Sequence, residues 1–84
     1  MKKSSLGIIG GGQLGMFLCQ AAKKENLRTV VFSTTENFSA RNFCDFYFIS
    51  DFNDNTQINK FIDSVDFFTI ETENIPINFL KKIE

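Results

Sequence analysis

The feature that most constrains the fold of this chain is a glycine-rich segment at residues 10–15, Gly-Gly-Gly-Gln-Leu-Gly. It follows a short apolar run at residues 6–10 and opens a segment with helical apolar spacing, so it satisfies G-x-G-x-x-G between a strand and a helix. In such a turn Gly10 permits the tight bend, Gly12 lets the backbone approach a ligand, and Gly15 allows close helix packing. The sequence therefore predicts a strand, a turn and a helix whose free N-terminal amides face outward.

The first predicted helix runs from residue 13 to about residue 24. We expect its apolar positions to form one buried stripe made of Leu14, Phe17, Leu18, Ala21 and Ala22. Apolar and β-branched residues predict further strands at residues 28–33, 46–49 and 66–70, with one or two helical turns within residues 39–44.

Two more helices are predicted after the third strand. The first is capped by Asp54 or Asn55 and has an apolar face made of Ile58, Phe61, Ile62 and Val65. The second begins near Pro76, which suits the first turn of a helix, and its apolar positions are Ile77, Leu80 and Ile83.

Strands that alternate with helices predict an α/β fold: a small Rossmann-like parallel sheet of about four strands flanked by helices, in one domain over residues 1–84. The usual strand order 3-2-1-4 would put the glycine turn and the end of the fourth strand at the same crevice. Of the twelve aromatic residues eleven are Phe, and we expect most of them to pack in the core rather than to stack on bases.

Charge and residue content exclude several classes of function. A net charge of −1 argues against nucleic acid or an anionic membrane as a partner, and no apolar run is long enough to span a bilayer. The chain has no His, so the usual general base is missing and we assign no catalytic residue. We expect a cytoplasmic protein.

Two pairs of residues could suggest metal or redox chemistry. Cys19 and Cys44 lie 25 positions apart without metal-ligand spacing, which favours two free buried thiols over a disulfide. Asp51 and Asp54 lie in one turn, where carboxylates more often cap a helix and face water than hold a cation. The sequence therefore predicts no metal site.

The glycine segment predicts a phosphate-binding turn, with a tight turn of no further function as the alternative. A nicotinamide dinucleotide would call for an acidic residue at the end of the second strand. That strand ends in Ser-Thr-Thr at residues 33–35, and Glu36 comes a few residues late. The dinucleotide interpretation is therefore weakened and stays open.

A second group of polar residues, Glu71 to Asn74, follows the fourth strand. In an extended chain Glu71 and Glu73 point to the same side, where carboxylates accept hydrogen bonds from an amine or from ribose hydroxyls. The alternative is a solvated acidic loop. If the strand order is as expected, these carboxylates form the wall opposite the glycine turn.

Three segments together resemble a known family: residues 7–15 (GIIGGGQLG), residues 44–54, and residues 71–76 (ETENIP). The family is the N-terminal, pre-ATP-grasp domain of 5-(carboxyamino)imidazole ribonucleotide synthase, a biotin-independent ATP-grasp ligase of purine biosynthesis. The similarity runs from about residue 6 to residue 84. The Gly-Gln-Leu-Gly part is shared with other ATP-grasp ligases, whereas Glu-x-Glu-Asn-x-Pro is typical of the carboxylating member.

The resemblance implies a reaction in which aminoimidazole ribonucleotide, bicarbonate and ATP give the N-carboxylated ribonucleotide, ADP and phosphate. It implies that the ribonucleotide is held by the residues Gly11, Gly12, Gln13, Leu14, Glu73 and Asn74. It also implies ATP and magnesium in the full-length enzyme, and a homodimer. The ATP-grasp domain of the family lies beyond residue 84, so we expect this chain alone to bind no cofactor and to be inactive as a ligase.

Two alternatives remain from the sequence. One is a stand-alone Rossmann-type module or regulator that binds NAD or FAD in the same crevice. The other is a remnant that binds nothing.

Overall fold

The computed structural model describes residues 4–10 and 12–70 of the 84-residue chain. The elements in chain order are β1 (Ser5–Ile9), α1 (Gln13–Lys24), β2 (Arg28–Ser33), a 3₁₀ turn (Ser39–Asn42), β3 (Phe46–Ile49), α2 (Asn55–Asp63) and β4 (Phe67–Ile70). The predicted bounds of α1, β2 and β3 are confirmed. β1 is shifted by one residue toward the N-terminus from the predicted run 6–10, and β4 begins one residue later than predicted. The helix predicted to begin near Pro76 lies outside the described residues.

The four strands form one parallel sheet in the order β3-β2-β1-β4. In the register Ile9 is beside Phe32 of β2 on one side and beside Ile70 of β4 on the other. The chain moves outward from β1 to β3 and then returns across the sheet to β4. The predicted α/β class and strand order are therefore confirmed, and the reversal point lies between β1 and β4.

Apolar side chains cover both faces of the sheet. On the face covered by α1 and the 3₁₀ turn, the fully buried residues are Ile8, Cys19, Val31 and Ala40. On the face covered by α2, they are Ile9, Val30, Phe32, Ile58 and Phe61. Strands buried on both faces read as continuous apolar runs, which is why β1 and β2 were recognisable in the sequence.

Two aspartates fix the starts of the outer strands. Asp66 accepts a hydrogen bond from the amide of Ser5 at 2.7 Å, and its own amide donates to the Ser5 carbonyl at 2.9 Å. Asp45 does the same for β3, since its carboxylate accepts from the Thr29 amide at 2.9 Å. Each aspartate immediately precedes its strand, so these bonds set the register of β3 on β2 and of β4 on β1. The register in turn determines where along the sheet each outer strand ends.

The buried face of α1 differs from the prediction. Its buried residues are Gly15, Cys19 and Ala22, whereas Leu14 and Phe17 are about half exposed, at 55% and 51%. The predicted apolar stripe is therefore wrong for these two positions and for Ala21, which is also exposed. Small residues make the contact because α1 lies close to the sheet, and the large side chains are turned to its flank.

The aromatic residues also divide differently from the prediction. Phe32 is the centre of a buried group, with Phe52 stacked on it at 5.9 Å and Phe61 edge-on at 5.5 Å between ring centroids. Several others are exposed instead of packing in the core: Phe17, Phe43, Phe46, Tyr47, Phe67 and Phe68. The expectation of mainly core aromatics is therefore correct for the α2 face and wrong for the flanks and sheet edges. Across residues 4–10 and 12–70, the helices are too short and too polar to cross a bilayer.

Candidate functional site

The turn between β1 and α1 bends at Gly10, which has a φ of 107°. This left-handed conformation is costly for residues with a Cβ. The Gly10 amide donates to the Phe32 carbonyl at 2.9 Å, so the turn continues the pairing of β1 with β2 before the chain leaves the sheet. The role that the sequence assigned to the first glycine of the motif is confirmed.

The N-terminus of α1 follows directly. Gly12 is the N-cap residue, and its carbonyl accepts the first helical hydrogen bond from the Met16 amide at 3.0 Å. In the part of the chain that the structure describes, no side chain caps this end of α1 and its first turn has no acidic residue. Helix geometry leaves the first-turn amides without intrahelical acceptors, and the helix dipole adds positive potential there. This arrangement suits an anion such as a phosphate.

Gly15 explains how close α1 comes to the sheet. A Cβ at this position would lie 2.8 Å from the Gly10 carbonyl oxygen, closer than side chains approach backbone. The third glycine of the motif is therefore required by contact, as the sequence analysis expected. The close contact holds the first turn of α1 against the end of β1.

The predicted site residues around this turn are exposed where the structure describes them. Gly12, Gln13 and Leu14 are all open to solvent at the start of α1. Leu14 presents an apolar surface next to the first-turn amides. Gly11 lies outside the described residues. The turn can thus offer both hydrogen-bond donors and an apolar contact to a ligand.

The second predicted wall of the site begins directly after residue 70, the last residue that the structure describes. Ile70, the last residue of β4, is paired with Ile9, which leads into the glycine turn. Glu73 and Asn74 lie outside the described residues, so their role stays a prediction. The register nevertheless places the carboxyl end of β4 next to the glycine turn, at the topological switch point where ligands bind in open α/β sheets.

The end of β2 has a closed local structure. The Ser33 hydroxyl donates to the Thr35 carbonyl at 2.9 Å and accepts from the Thr35 amide at 3.2 Å. Its donor and one of its two acceptor positions are thus used within the turn. Glu36 is exposed, and its backbone carbonyl accepts a hydrogen bond from the Arg41 guanidinium at 3.0 Å. The residue that would grip a dinucleotide ribose is therefore replaced by a self-contained turn.

Arg41 has a role beside this turn that the sequence did not indicate. Its guanidinium carbon lies 5.3 Å from the centroid of the Tyr47 ring while the same group holds the Glu36 carbonyl. The side chain thereby links the loop after β2 to β3. An arginine in a 3₁₀ turn that is followed by an aromatic strand was the available signal.

Of the aspartate pair, Asp54 caps the helix as predicted. Asp54 is the N-cap of α2: its carboxylate accepts from the Gln57 amide at 3.1 Å and from the Ser50 hydroxyl at 3.0 Å. Asp51 is exposed. Within residues 4–10 and 12–70, no three His, Cys, Asp or Glu side chains are grouped as metal ligands.

The two thiols lie on the α1 face of the sheet and are not joined in a disulfide within the described chain. Burial raises the pKa of the Cys19 thiol to about 11, and the neighbouring Cys44 and Asp45 add to this effect. A hydrogen bond with the Thr29 side chain acts in the opposite direction. Burial also raises the pKa of Cys44. Both groups are therefore protonated thiols near neutral pH.

Comparison with protein families gives a match over the whole length. Residues 1–84 match the family described as the ribonucleotide synthetase preATP-grasp domain. Among curated proteins, the chain is 32% identical over 80 residues to N5-carboxyaminoimidazole ribonucleotide synthase of Staphylococcus epidermidis, covering 95% of this chain and 21% of that protein. It is 30% identical over 79 residues to the chloroplastic phosphoribosylaminoimidazole carboxylase of Vigna aconitifolia, covering 94% and 14%.

Solved structures give the same result at the level of the backbone. N5-carboxyaminoimidazole synthetase of Staphylococcus aureus, crystallised with ADP, superposes with a TM-score of 0.89 at 32% identity, over 99% of this chain and 22% of that one. The ATPase subunit of phosphoribosylaminoimidazole carboxylase from Aquifex aeolicus has a TM-score of 0.82 at 35% identity, over 95% and 24%. The chain thus spans less than a quarter of the length of these relatives.

Proposed function

Since this chain belongs to the ribonucleotide synthetase preATP-grasp domain family, we propose that it is the ribonucleotide-binding N-terminal lobe of an N5-carboxyaminoimidazole ribonucleotide synthase. The proposal covers residues 1–84 as one lobe. The observation that carries it is the position of the N-terminus of α1, whose first turn contains no acidic residue and which the Gly10 turn holds next to the end of β4. The fold around it matches synthetases of that name at TM-scores above 0.8.

In this proposal the phosphate of aminoimidazole ribonucleotide lies against the amides of the first turn of α1. Charge supports this placement, because the helix dipole is positive there and the first turn has no acidic residue in the described part of the chain. Leu14 gives the sugar or base an apolar contact. Glu73, with Asn74, accepts hydrogen bonds from the amine or the ribose hydroxyls on the opposite wall.

In this proposal the steps of the reaction other than ribonucleotide binding take place in other regions of the complete enzyme. We assign ATP, magnesium and bicarbonate to the regions of the relatives that this chain does not span. The proposal also includes a homodimer of the complete enzyme and a cytoplasmic location.

A second candidate is a module that binds NAD or FAD in the same crevice. The glycine motif favours it, but the end of β2 does not. At the end of β2 the Ser33 hydroxyl is hydrogen-bonded to the backbone of Thr35. The first acidic side chain, Glu36, comes after the turn and is exposed. A dinucleotide would lack the carboxylate that normally receives its ribose hydroxyls.

Titration of the ¹⁵N-labelled chain, followed by NMR, distinguishes these candidates. We expect aminoimidazole ribonucleotide to shift the amides of Gly12, Gln13 and Leu14, and NAD, FAD and ATP to leave them in place. Shifts of these amides by NAD or FAD alone would support the dinucleotide module. If none of the four compounds moves them, the turn has no ligand-binding role in this chain.

A pair of variants tests whether binding uses the start of α1. Leu14→Ala should weaken ribonucleotide binding about fivefold to thirtyfold, because an apolar contact of this size contributes about 1–2 kcal/mol. Phe17→Ala is the matched control, since Phe17 is equally exposed on the same helix but one turn farther from the N-terminus. Equal loss in both variants would argue against a site at the glycine turn.

A further inference from the structure

The structure contains a pair of thiols that the proposed function does not use. Cys19, on α1, is buried in the cluster that joins α1 to the sheet, and Cys44 packs against the same cluster from the connection between the 3₁₀ turn and β3. Cys19 is 1% exposed, whereas Cys44 is only partly buried. One thiol is therefore enclosed and its neighbour is accessible from solvent.

A short chain of contacts connects the two residues. The side chain of Thr29 is near enough to the Cys19 thiol to affect its pKa, in the direction opposite to burial. The Thr29 hydroxyl in turn accepts from the amide of Asp45 at 3.1 Å, and Asp45 directly follows Cys44 in the chain. The fold thus brings together two cysteines that are 25 positions apart in the sequence. Ala40, which is fully buried in the same cluster, anchors the 3₁₀ turn beside them.

We propose that Cys19 and Cys44 are a modification site, at which a low-molecular-weight disulfide converts the two thiols into a reversible intramolecular disulfide. The thiolate of Cys44 attacks one sulfur of the oxidant, whose S–S bond breaks and releases one thiolate. The thiolate of Cys19 then attacks the Cys44 sulfur of this mixed disulfide. The Cys19–Cys44 bond forms, the second oxidant thiolate leaves, and the two cysteine protons end on the two released thiols.

The environment of the thiols sets the speed of this exchange. Burial raises the pKa of both groups, and the charged group that faces them is Asp45, which acts in the same direction. Near neutral pH little thiolate is present, so exchange is slow and should become faster as pH rises toward 9. The disulfide would tie the connection between β2 and β3 to α1, the helix whose first turn forms the proposed site.

The test measures the thiol–disulfide equilibrium of the 84-residue chain in glutathione buffers. The reduced chain is equilibrated with mixtures of oxidised and reduced glutathione at pH 8.5, once in native buffer and once in 8 M urea, about the strongest urea in common use. Acid quenching and mass spectrometry then give the fractions of dithiol, mixed disulfide and intramolecular disulfide. Because folding brings the thiols together, we expect the native chain to favour the intramolecular disulfide at least about tenfold more than the unfolded chain.

The expected product is a monomer that has lost two hydrogens and yields one cross-linked peptide containing Cys19 and Cys44. Oxidation should also raise the urea midpoint, since the bond restricts the unfolded chain. An equilibrium constant no larger in native buffer than in urea would overturn the proposal. So would a native product that is only glutathione-capped Cys44, or only a disulfide between two chains.

Variants identify the order of the steps. Cys19→Ser should stop at the glutathione adduct of Cys44, and Cys44→Ser should react with glutathione at least about tenfold more slowly than the parent because Cys19 is enclosed. Circular dichroism checks that each variant is folded. Since the main measurement uses the parent chain, the proposal stays testable if Cys19→Ser does not fold. Fast modification of Cys19 in folded Cys44→Ser would overturn the assigned order.

Discussion

At the scale of single residues, the site depends on distances between backbone atoms. Gly15 packs so closely against the Gly10 carbonyl that a Cβ at position 15 would lie 2.8 Å from the carbonyl oxygen. Neither group can move far, because the Gly10 amide is bonded to β2 and Gly15 is inside a helix. The contact therefore fixes the position of the first turn of α1, and with it the donors that the proposed function assigns to phosphate.

Replacing Gly15 by alanine should push α1 away from the end of β1. We expect a loss of about 1–3 kcal/mol in the free energy of unfolding, the usual cost of overpacking, despite the better helix propensity of alanine. Urea denaturation followed by circular dichroism measures it. Gln13→Ala, an exposed change in the same turn, is the control and should stay within about 0.5 kcal/mol of the parent. A Gly15→Ala chain as stable as the control would contradict this account of the contact.

The buried thiol of Cys19 predicts a dependence of stability on alkaline pH. Its pKa is raised to about 11 in the folded chain, whereas an unfolded cysteine titrates near ~8.5. Between these pH values the thiol of the unfolded chain loses its proton while the thiol of the folded chain keeps it. The contribution of the buried thiol to stability is therefore fully present below about pH 8.5 and is lost as the pH rises toward 11. The slope approaches ~1.4 kcal/mol per pH unit for one thiol.

Urea denaturation at several values between pH 8 and pH 11 measures this slope. Other groups titrate in the same range, so the informative quantity is the difference between the parent and Cys19→Ala. We expect the variant to be less stable near pH 8 but to lose less stability as the pH rises. Parallel curves for the two chains would contradict the burial effect.

At the scale of secondary structure elements, capping residues determine where α2 begins. The carboxylate of Asp54 accepts the Gln57 amide and also holds the Ser50 hydroxyl, which ties the helix start to the end of β3. Asp51 is in the same acidic turn but is exposed, and only its backbone carbonyl takes part, accepting from the Asp54 amide at 3.1 Å. The two aspartates therefore differ in role although they share a turn.

Asp54→Ala should lower the free energy of unfolding by about 1 kcal/mol, the typical value of an N-cap side chain. Asp51→Ala should change it by less than about half that amount. Thermal or urea denaturation of the two variants gives the comparison. Equal losses would mean that the general charge of the turn matters and the cap does not.

The sequence was informative about the elements because their signals are local. The glycine motif, the β-branched strand Arg28–Ser33 and the capping residue Asp54 each act on neighbouring residues, and the structure confirms all three. The buried face of α1 was mispredicted because it depends on how near the helix lies to the sheet. Once Gly15 allows a close approach, small side chains fill the contact and Leu14 and Phe17 move to the flank.

The same distinction holds for the candidate site. The geometry of the glycine turn, to which the proposed function assigns the phosphate, was predictable because a glycine turn that opens a helix needs only local sequence. The closed turn at Ser33 was not, since the hydroxyl and the Thr35 backbone satisfy each other in a conformation that composition does not reveal. Glu73 remains a prediction from resemblance and from the register that ends at Ile70.

At the scale of the whole molecule, one aromatic residue connects the sheet to α2. Phe61 is fully buried, contacts the Phe32 ring edge-on and the Phe48 ring at 6.1 Å, and its Cζ would lie 2.8 Å from a Cβ at Gly7. A domain of this size has only ~5–10 kcal/mol of folding free energy. A large part of that stability therefore depends on a single side chain.

Phe61→Ala should cost about 3–5 kcal/mol, because the change removes a buried ring and leaves a cavity. We expect a chain that is largely unfolded at 37 °C, a temperature at which small domains have little stability to spare. Thermal denaturation followed by circular dichroism measures the shift. Phe46→Ala, at an exposed position of β3, is the control and should unfold at a temperature close to that of the parent chain. Similar unfolding of both variants would contradict a core centred on the α2 face.

The bend at Gly10 has a consequence for stereochemistry. A φ of 107° belongs to the region that D-amino acids prefer, so at this position the chain has a conformation of the opposite hand. A chain of 84 residues is short enough to assemble by chemical ligation. D-alanine at position 10 would suit this backbone conformation and would restrict the unfolded chain, whereas its mirror image, L-alanine, would strain the bend. Two chains that differ only in the handedness of the methyl group at position 10 would thus differ in stability, with a stiffened turn in one and a strained turn in the other.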